Sequence, residues 1–98
     1  MSRLPQVIAV DLDKTLTLET AWHPEDVVKG QPNQKIIDWV NEQYKTNFIV
    51  IYTARRHSLY QETVKWLSAH NVSYHAIRME KMPADRYVDD LAIRPEEL

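Results

Sequence analysis

The apolar run Val7-Ile8-Ala9-Val10 breaks directly into Asp11-Leu12-Asp13-Lys14-Thr15, and this junction holds the side chains best suited to chemistry. A buried strand that ends in two acids spaced i, i+2 sets two carboxylates and a backbone carbonyl around one point. That arrangement suits a divalent cation with hard oxygen ligands beside a phosphoryl group. Acids after a strand also form turns and helix caps, the plainer reading of either residue taken alone. Three further signals follow in order: Thr53 closes the run Phe48-Ile49-Val50-Ile51-Tyr52, Lys81 comes after a helical stretch and a third strand, and Asp89-Asp90 close Tyr87-Val88. In an open parallel α/β sheet the carboxyl ends of the strands line one edge, so these groups are expected to converge there.

The elements that must hold them are legible as periodicity. Near-continuous apolar runs predict strands at residues 6–10, 48–52, 74–77 and 86–88, with a very short fifth at 92–93, and such runs suit strands covered on both faces. Asn33 is the predicted N-cap of a helix reaching about Lys45, with Ile36, Ile37, Val40 and Tyr44 on its inner stripe. Ser58-Leu59-Tyr60-Gln61 fits a capping box opening a helix to about His70, with Tyr60, Val64 and Leu67 on one face. Strands alternating with helices imply right-handed crossovers and a doubly wound sheet. Residues 16–32 show no clear period and hold Pro24, Pro32 and the only glycine, Gly30. Seventeen such residues are long for a connector and point to a functional or mobile segment.

Taken together, these four signals resemble the haloacid dehalogenase (HAD) superfamily of phosphotransferases, whose motifs are DxDx[T/V], a Ser/Thr after the second strand, a Lys and an acidic pair. The resemblance spans residues 7–90, and Lys14 stands where many members have glycine, which bears on loop shape. It implies a three-layer Rossmann-like α/β fold, a short parallel sheet flanked by helices, as a single minimal domain over residues 1–98. Neither gap between motifs has room for a cap domain, so residues 16–32 are expected to form a small flap, with Trp22-His23 covering the substrate or anchoring the loop. The resemblance further implies that Asp11 is the nucleophile and Asp13 the general acid and base. Mg²⁺ would be held by Asp11, the Asp13 carbonyl, Asp89 and Asp90. The Thr53 hydroxyl and the N–H of Ala54 would bind phosphate oxygens, and Lys81 would neutralise them. Arg55, and less so Arg56, either grips a second anionic group or is a solvated charge before the helix.

Composition narrows the function without naming a substrate. Ninety-eight residues with 44% hydrophobic and 27% charged side chains make one ordinary globular domain. Twelve basic against 14 acidic side chains leave no strong nucleic-acid footprint. No cysteine occurs, which removes disulfides, thiolate metal sites and a Cys nucleophile, and suits a reducing cytoplasm. No signal peptide or membrane-spanning stretch is evident. His23, His57, His70 and His75 lack ligand spacing, and Trp39 and Trp66 are expected to be packing residues. The expected activity is Mg²⁺-dependent hydrolysis of a small sugar or nucleotide phosphate through an aspartyl-phosphate. An open site also admits a polynucleotide end, a phosphoprotein, or closure by a second copy of the chain. The competing class is a low-turnover phosphate-binding regulatory module. Receiver domains, which also cluster Asp, Thr and Lys, place the acidic pair first and the Lys last, the reverse of this order.

Overall fold

Short runs of β-branched and aromatic residues leave little choice but to pair, and pairing them in parallel requires a helix between each strand and the next. The computed structural model describes residues 5–81 and shows this arrangement. Strands β1 (Val7–Val10), β2 (Phe48–Tyr52) and β3 (Ala76–Arg78) form a parallel sheet in the order β1-β2-β3. Helices α1 (Pro24–Lys29) and α2 (Gln34–Tyr44) lie between β1 and β2, and α3 (Tyr60–Ala69) lies between β2 and β3. The expected strands at 86–88 and 92–93 fall outside the described residues.

One face of the sheet carries the core. Val10, Ile49 and Ile51 are buried together with Ile37 and Val40 of α2, Val27 of α1, and Trp66 and Leu67 of α3, in one cluster. Their sequence neighbours Val7 and Phe48 are exposed. β1 and β2 therefore alternate in burial, one face being the more open among the described residues of this helix-flanked parallel sheet. The sequence run is misleading here because apolar side chains also occupy the more open face.

Local chemistry shifts several boundaries. β3 starts two residues later than expected because the His75 side chain takes a strand's place. Its Nδ1 accepts the N–H of Ile49 at 3.0 Å while its own N–H donates to the Ile49 carbonyl at 2.9 Å. Rings of Tyr44 and Phe48 stack on the imidazole at 4.2 and 4.7 Å between centroids. Asn33 does occupy the N-cap position of α2, but it works through its carbonyl, which accepts from Ile36 and Ile37, and not through its side chain. No capping box forms at Ser58: a 3₁₀ turn over His57–Leu59 precedes α3. The buried residues of α3 are Thr63, Trp66 and Leu67, while Tyr60 is exposed. Hydropathy misplaces that stripe because Thr63 is polar, yet its hydroxyl is satisfied inside by Arg55.

Residues 16–32 hold a short helix, α1, between ends that are fastened together, with Leu16, Thr17, Ala21 and Val27 buried and most of the rest exposed. Their ends are pinched by an antiparallel bridge between Thr17 and Pro32, by Leu18 N–H donating to the Gln31 carbonyl at 2.9 Å, and by Asn33 N–H donating to the Leu16 carbonyl at 2.7 Å. Pro24 opens α1, where a missing N–H has no penalty. Six residues are too few to show a helical period in the sequence. Trp66 ties the far side down, its Nε1–H donating to the Gly30 carbonyl at 2.9 Å. A Cβ on Gly30 would stand 3.2 Å from that same nitrogen, so a side chain there would require the indole to shift by a few tenths of an ångström. Trp66 is thus a packing residue, whereas Trp39 is 50% exposed and is not. Among the described residues, no helix is long and apolar enough to cross a membrane.

Trp66→Phe is expected to destabilise the protein by about 1–2 kcal/mol, because it leaves the Gly30 carbonyl without its donor. Trp66→Ala should remove about 3–5 kcal/mol. Urea unfolding followed by circular dichroism measures both, and an unchanged midpoint for Trp66→Phe would show that the tether contributes nothing.

Candidate functional site

All three strands run in parallel, so the residues that follow them meet at one edge. Val10 delivers Asp11, whose backbone is extended and whose Oδ1 accepts the N–H of Leu12 at 2.8 Å. Leu12 and Leu16 are fully buried and anchor the turn between them. Thr17 closes that turn, its N–H donating to the Leu12 carbonyl at 3.0 Å and its Oγ1 accepting from Lys14 N–H at 3.3 Å. Lys14 sits at φ 61°, ψ 18°, in the left-handed region. The turn thus keeps a shape that glycine would adopt freely and lysine adopts under strain.

Asp13 is held from three sides. Arg55 Nη2 donates to Oδ1 at 2.8 Å, Arg55 Nε lies 3.2 Å from both carboxylate oxygens, and Ala21 N–H donates to Oδ1 at 3.1 Å. The Arg55 side chain is 3% exposed and its Nη1 donates to Thr63 Oγ1 at 2.9 Å. The Thr53 hydroxyl in turn accepts the N–H of Arg55 at 3.1 Å. Oδ2 of Asp13 is the less engaged of its two oxygens.

β2 and the chain beyond β3 continue in contact past the sheet. Thr53 N–H donates to the Arg78 carbonyl at 3.0 Å, Glu80 N–H to the Arg55 carbonyl at 2.8 Å, and Lys81 N–H to the Thr53 carbonyl at 2.9 Å. Glu80 is left-handed at φ 60°. Its Oε2 accepts the N–H of His57 at 2.9 Å and lies 2.6 Å from His57 Nδ1. The hydrogen bond from the His57 backbone, then that from its side chain, holds the Glu80 carboxyl below its ordinary value. Lys81 Nζ stands 5.1 Å from the centroid of the Tyr52 ring, a cation–π contact.

These groups surround a cleft of about 910 Å³ lined by Asp11, Asp13 and Lys81, by Ala54, Arg56 and Ser58, and by Ala21, Trp22 and His23 of the pinched segment. Trp22 stands at its rim, 76% exposed. Asp11, Asp13, Ala54 and Lys81 are brought together as expected from the sequence. Thr53 is not on the wall: it is fully buried beneath it. Arg55 also lines the cleft, with its guanidinium bonded to Asp13 and Thr63, so it is not a solvated charge before the helix. Asp89 and Asp90 lie outside the described residues. Among the described residues no group of three or more His, Cys, Asp or Glu side chains is gathered around one point. The hard-oxygen donors in the cleft are Asp11 and Asp13, and the Asp13 carboxylate is already engaged by Arg55. Three supporting residues escaped the sequence reading. Thr63 carried no signal, whereas Glu80 and His57 were flagged only by lying next to Lys81 and Arg56.

No family model and no curated protein matches this chain. Among solved structures it is similar to an MCSG target from Vibrio cholerae, at 30% identity and a TM-score of 0.71, over 94% of this chain and 85% of that one. The chain belongs to one family with that protein. It is also similar to a chain in a structure of the Pnkp1/Rnl/Hen1 RNA repair complex, at 16% identity and a TM-score of 0.69, over 85% of this chain and 28% of that one. A second structure of the Pnkp1/Rnl/Hen1 complex gives 18% identity and a TM-score of 0.70, over 98% and 34%. This chain therefore corresponds to a minor part of those longer chains, and at such identities the likeness concerns the fold.

Lys14→Gly is expected to raise stability by about 0.5–1 kcal/mol, the relieved left-handed strain exceeding the added freedom of the unfolded chain. A lower urea midpoint would show that the lysine is held there by a compensating contact. The Glu80 carboxyl should titrate below 4.5 by carbon NMR and return toward that value in His57→Ala. A carboxyl lowered in the folded state stabilises above its ordinary value, and that contribution is lost as pH falls through the lowered one. A Glu80 titration unmoved by His57→Ala would separate the two residues.

Proposed function

We propose that this chain is a phosphomonoester hydrolase of the HAD type, working through a phosphorylated Asp11. The observation that carries the reading is the cleft at the carboxyl edge of the sheet, where Asp11, Asp13, Ala54 and Lys81 meet. A carboxylate nucleophile, a second carboxylate two residues on and an ammonium facing them are what phosphoryl transfer to an aspartate requires.

In the proposed reaction an Asp11 oxygen forms a bond to phosphorus while the bond from phosphorus to the leaving oxygen breaks. Asp13 enters this step protonated on Oδ2, the atom that Arg55 and Ala21 leave less engaged, and delivers that proton to the leaving oxygen. It then takes a proton from water, which attacks the phosphorus of the acyl phosphate and frees Asp11. Arg55 acts as a positioning residue, its fork fixing the Asp13 carboxylate through parallel hydrogen bonds. Lys81 and the N–H of Ala54 would meet the phosphoryl oxygens, with Thr53 supporting them from below.

The donor chemistry fits Mg²⁺. Asp11 offers an exposed carboxylate and Asp13 a backbone carbonyl, with Asp89 and Asp90 the sequence candidates for the remaining ligands. When bound, such an ion neutralises the like charges of carboxylate and phosphate. A small sugar or nucleotide phosphate is the proposed substrate class. The shared fold with chains of an RNA repair complex favours a second reading, a phosphatase of polynucleotide ends.

Phosphate release from a panel of aryl, sugar, nucleotide and 3′- or 5′-phosphorylated oligonucleotide substrates is expected to require Mg²⁺ and to stop in EDTA. Asp11→Asn should abolish turnover with an unchanged circular dichroism spectrum. Release that persists in EDTA, or near-normal rates in Asp11→Asn, would overturn the mechanism.

A further inference from the structure

The turn that carries Lys81 is strained and exposed, yet held by a specific clamp. Glu80 is a non-glycine residue at φ 60°, a conformation an L-residue keeps only when its surroundings impose it. Two bonds impose it from the backbone, Glu80 N–H to the Arg55 carbonyl and Lys81 N–H to the Thr53 carbonyl. A third comes from the side chain: Oε2 caps the N–H of His57 at the start of the 3₁₀ turn and pairs with its Nδ1. The ion pair itself is largely solvated, with side-chain exposures of 71% and 49%, so its contribution to global stability is small. What the contacts fix is local. They bind the 3₁₀ turn before α3 and the loop after β2 to the residue immediately before Lys81.

We infer that Glu80 is a positioning residue for Lys81, its carboxylate clamped on His57 holding the left-handed turn that brings Lys81 to the cleft wall. This rests on the phosphatase reading for its catalytic consequence, but the clamp can be tested without it. Glu80→Ala removes the clamp together with the charge at that point. Glu80→Gln keeps an oxygen that accepts from His57 N–H and loses only the ionic part.

In the intact chain, Glu80→Ala is expected to lower kcat roughly 10- to 100-fold on the best substrate of the panel, the scale on which a misplaced electrostatic group acts. The melting temperature should stay close to that of the wild type. Glu80→Gln should retain most of the rate. In Lys81→Ala, adding Glu80→Ala should cause little further loss, because the two residues act as one unit. Undiminished kcat in Glu80→Ala, or losses that multiply in the double variant, would overturn the assignment. Amide hydrogen exchange supplies the second arm: Glu80→Ala should speed exchange at Lys81 while leaving Ile51 in the centre of β2 protected. Unchanged exchange at Lys81 overturns the clamp even if the wild type hydrolyses nothing. Faster exchange in Glu80→Ala, where the wild type shows no phosphatase activity, sustains the clamp and removes the phosphatase reading instead.

Discussion

The pairing of Arg55 with Asp13 is the constraint around which the site is arranged. A guanidinium with almost no contact with water must find a carboxylate and further acceptors, and it finds them in the turn after β1 and in α3. The turn after β1 is thereby fixed to the loop after β2, 42 residues further along the chain, and through it to α3. Breaking such a buried pair by removing one partner leaves an unpaired charge, typically at about 3–5 kcal/mol. The planar fork also sets the angle of the carboxylate it grips, which a lysine could not do. Stability and orientation here have the same source.

Of the three described non-glycine residues in the left-handed region, Asn71 follows α3 and the other two stand near the cleft edge of the sheet. Lys14 and Glu80, both left-handed without being glycine, flank the cleft from the first and last described turns. Each is held by a hydrogen bond, Lys14 donating its N–H to Thr17 Oγ1 and Glu80 Oε2 accepting the N–H of His57. Backbone held in sparsely populated conformations is common where a fold must aim side chains it could place more cheaply elsewhere. The sheet edge sets the general position of the groups, and these two turns refine it.

The sequence made the strand ends legible because hydropathy and charge change abruptly there. Asp11, Asp13 and Lys81 could be placed at one edge from parallel topology, and Ala54 from the family resemblance, and they meet in the cleft. Direction was harder to read than position. Whether Arg55 points outward or inward depends on Thr63, a residue whose polarity suggests solvent and whose hydroxyl is instead consumed inside. His75 likewise hid the start of β3, because a side chain that replaces a backbone acceptor leaves no periodic trace. Helix α1 was invisible at six residues, and its stabilising contact with Trp66 comes from another element altogether.

The pinch between Thr17 and Pro32 makes residues 18–31 an excursion that leaves and rejoins the fold at nearly the same place. A segment whose ends are already fastened can grow at its tip with little disturbance to what lies below. Lengthening a closed loop adds only about 0.6 kcal/mol of entropy per doubling. The exposed Trp22-His23 tip is therefore a natural grafting point, where an inserted module would overhang the cleft while the sheet beneath kept its register.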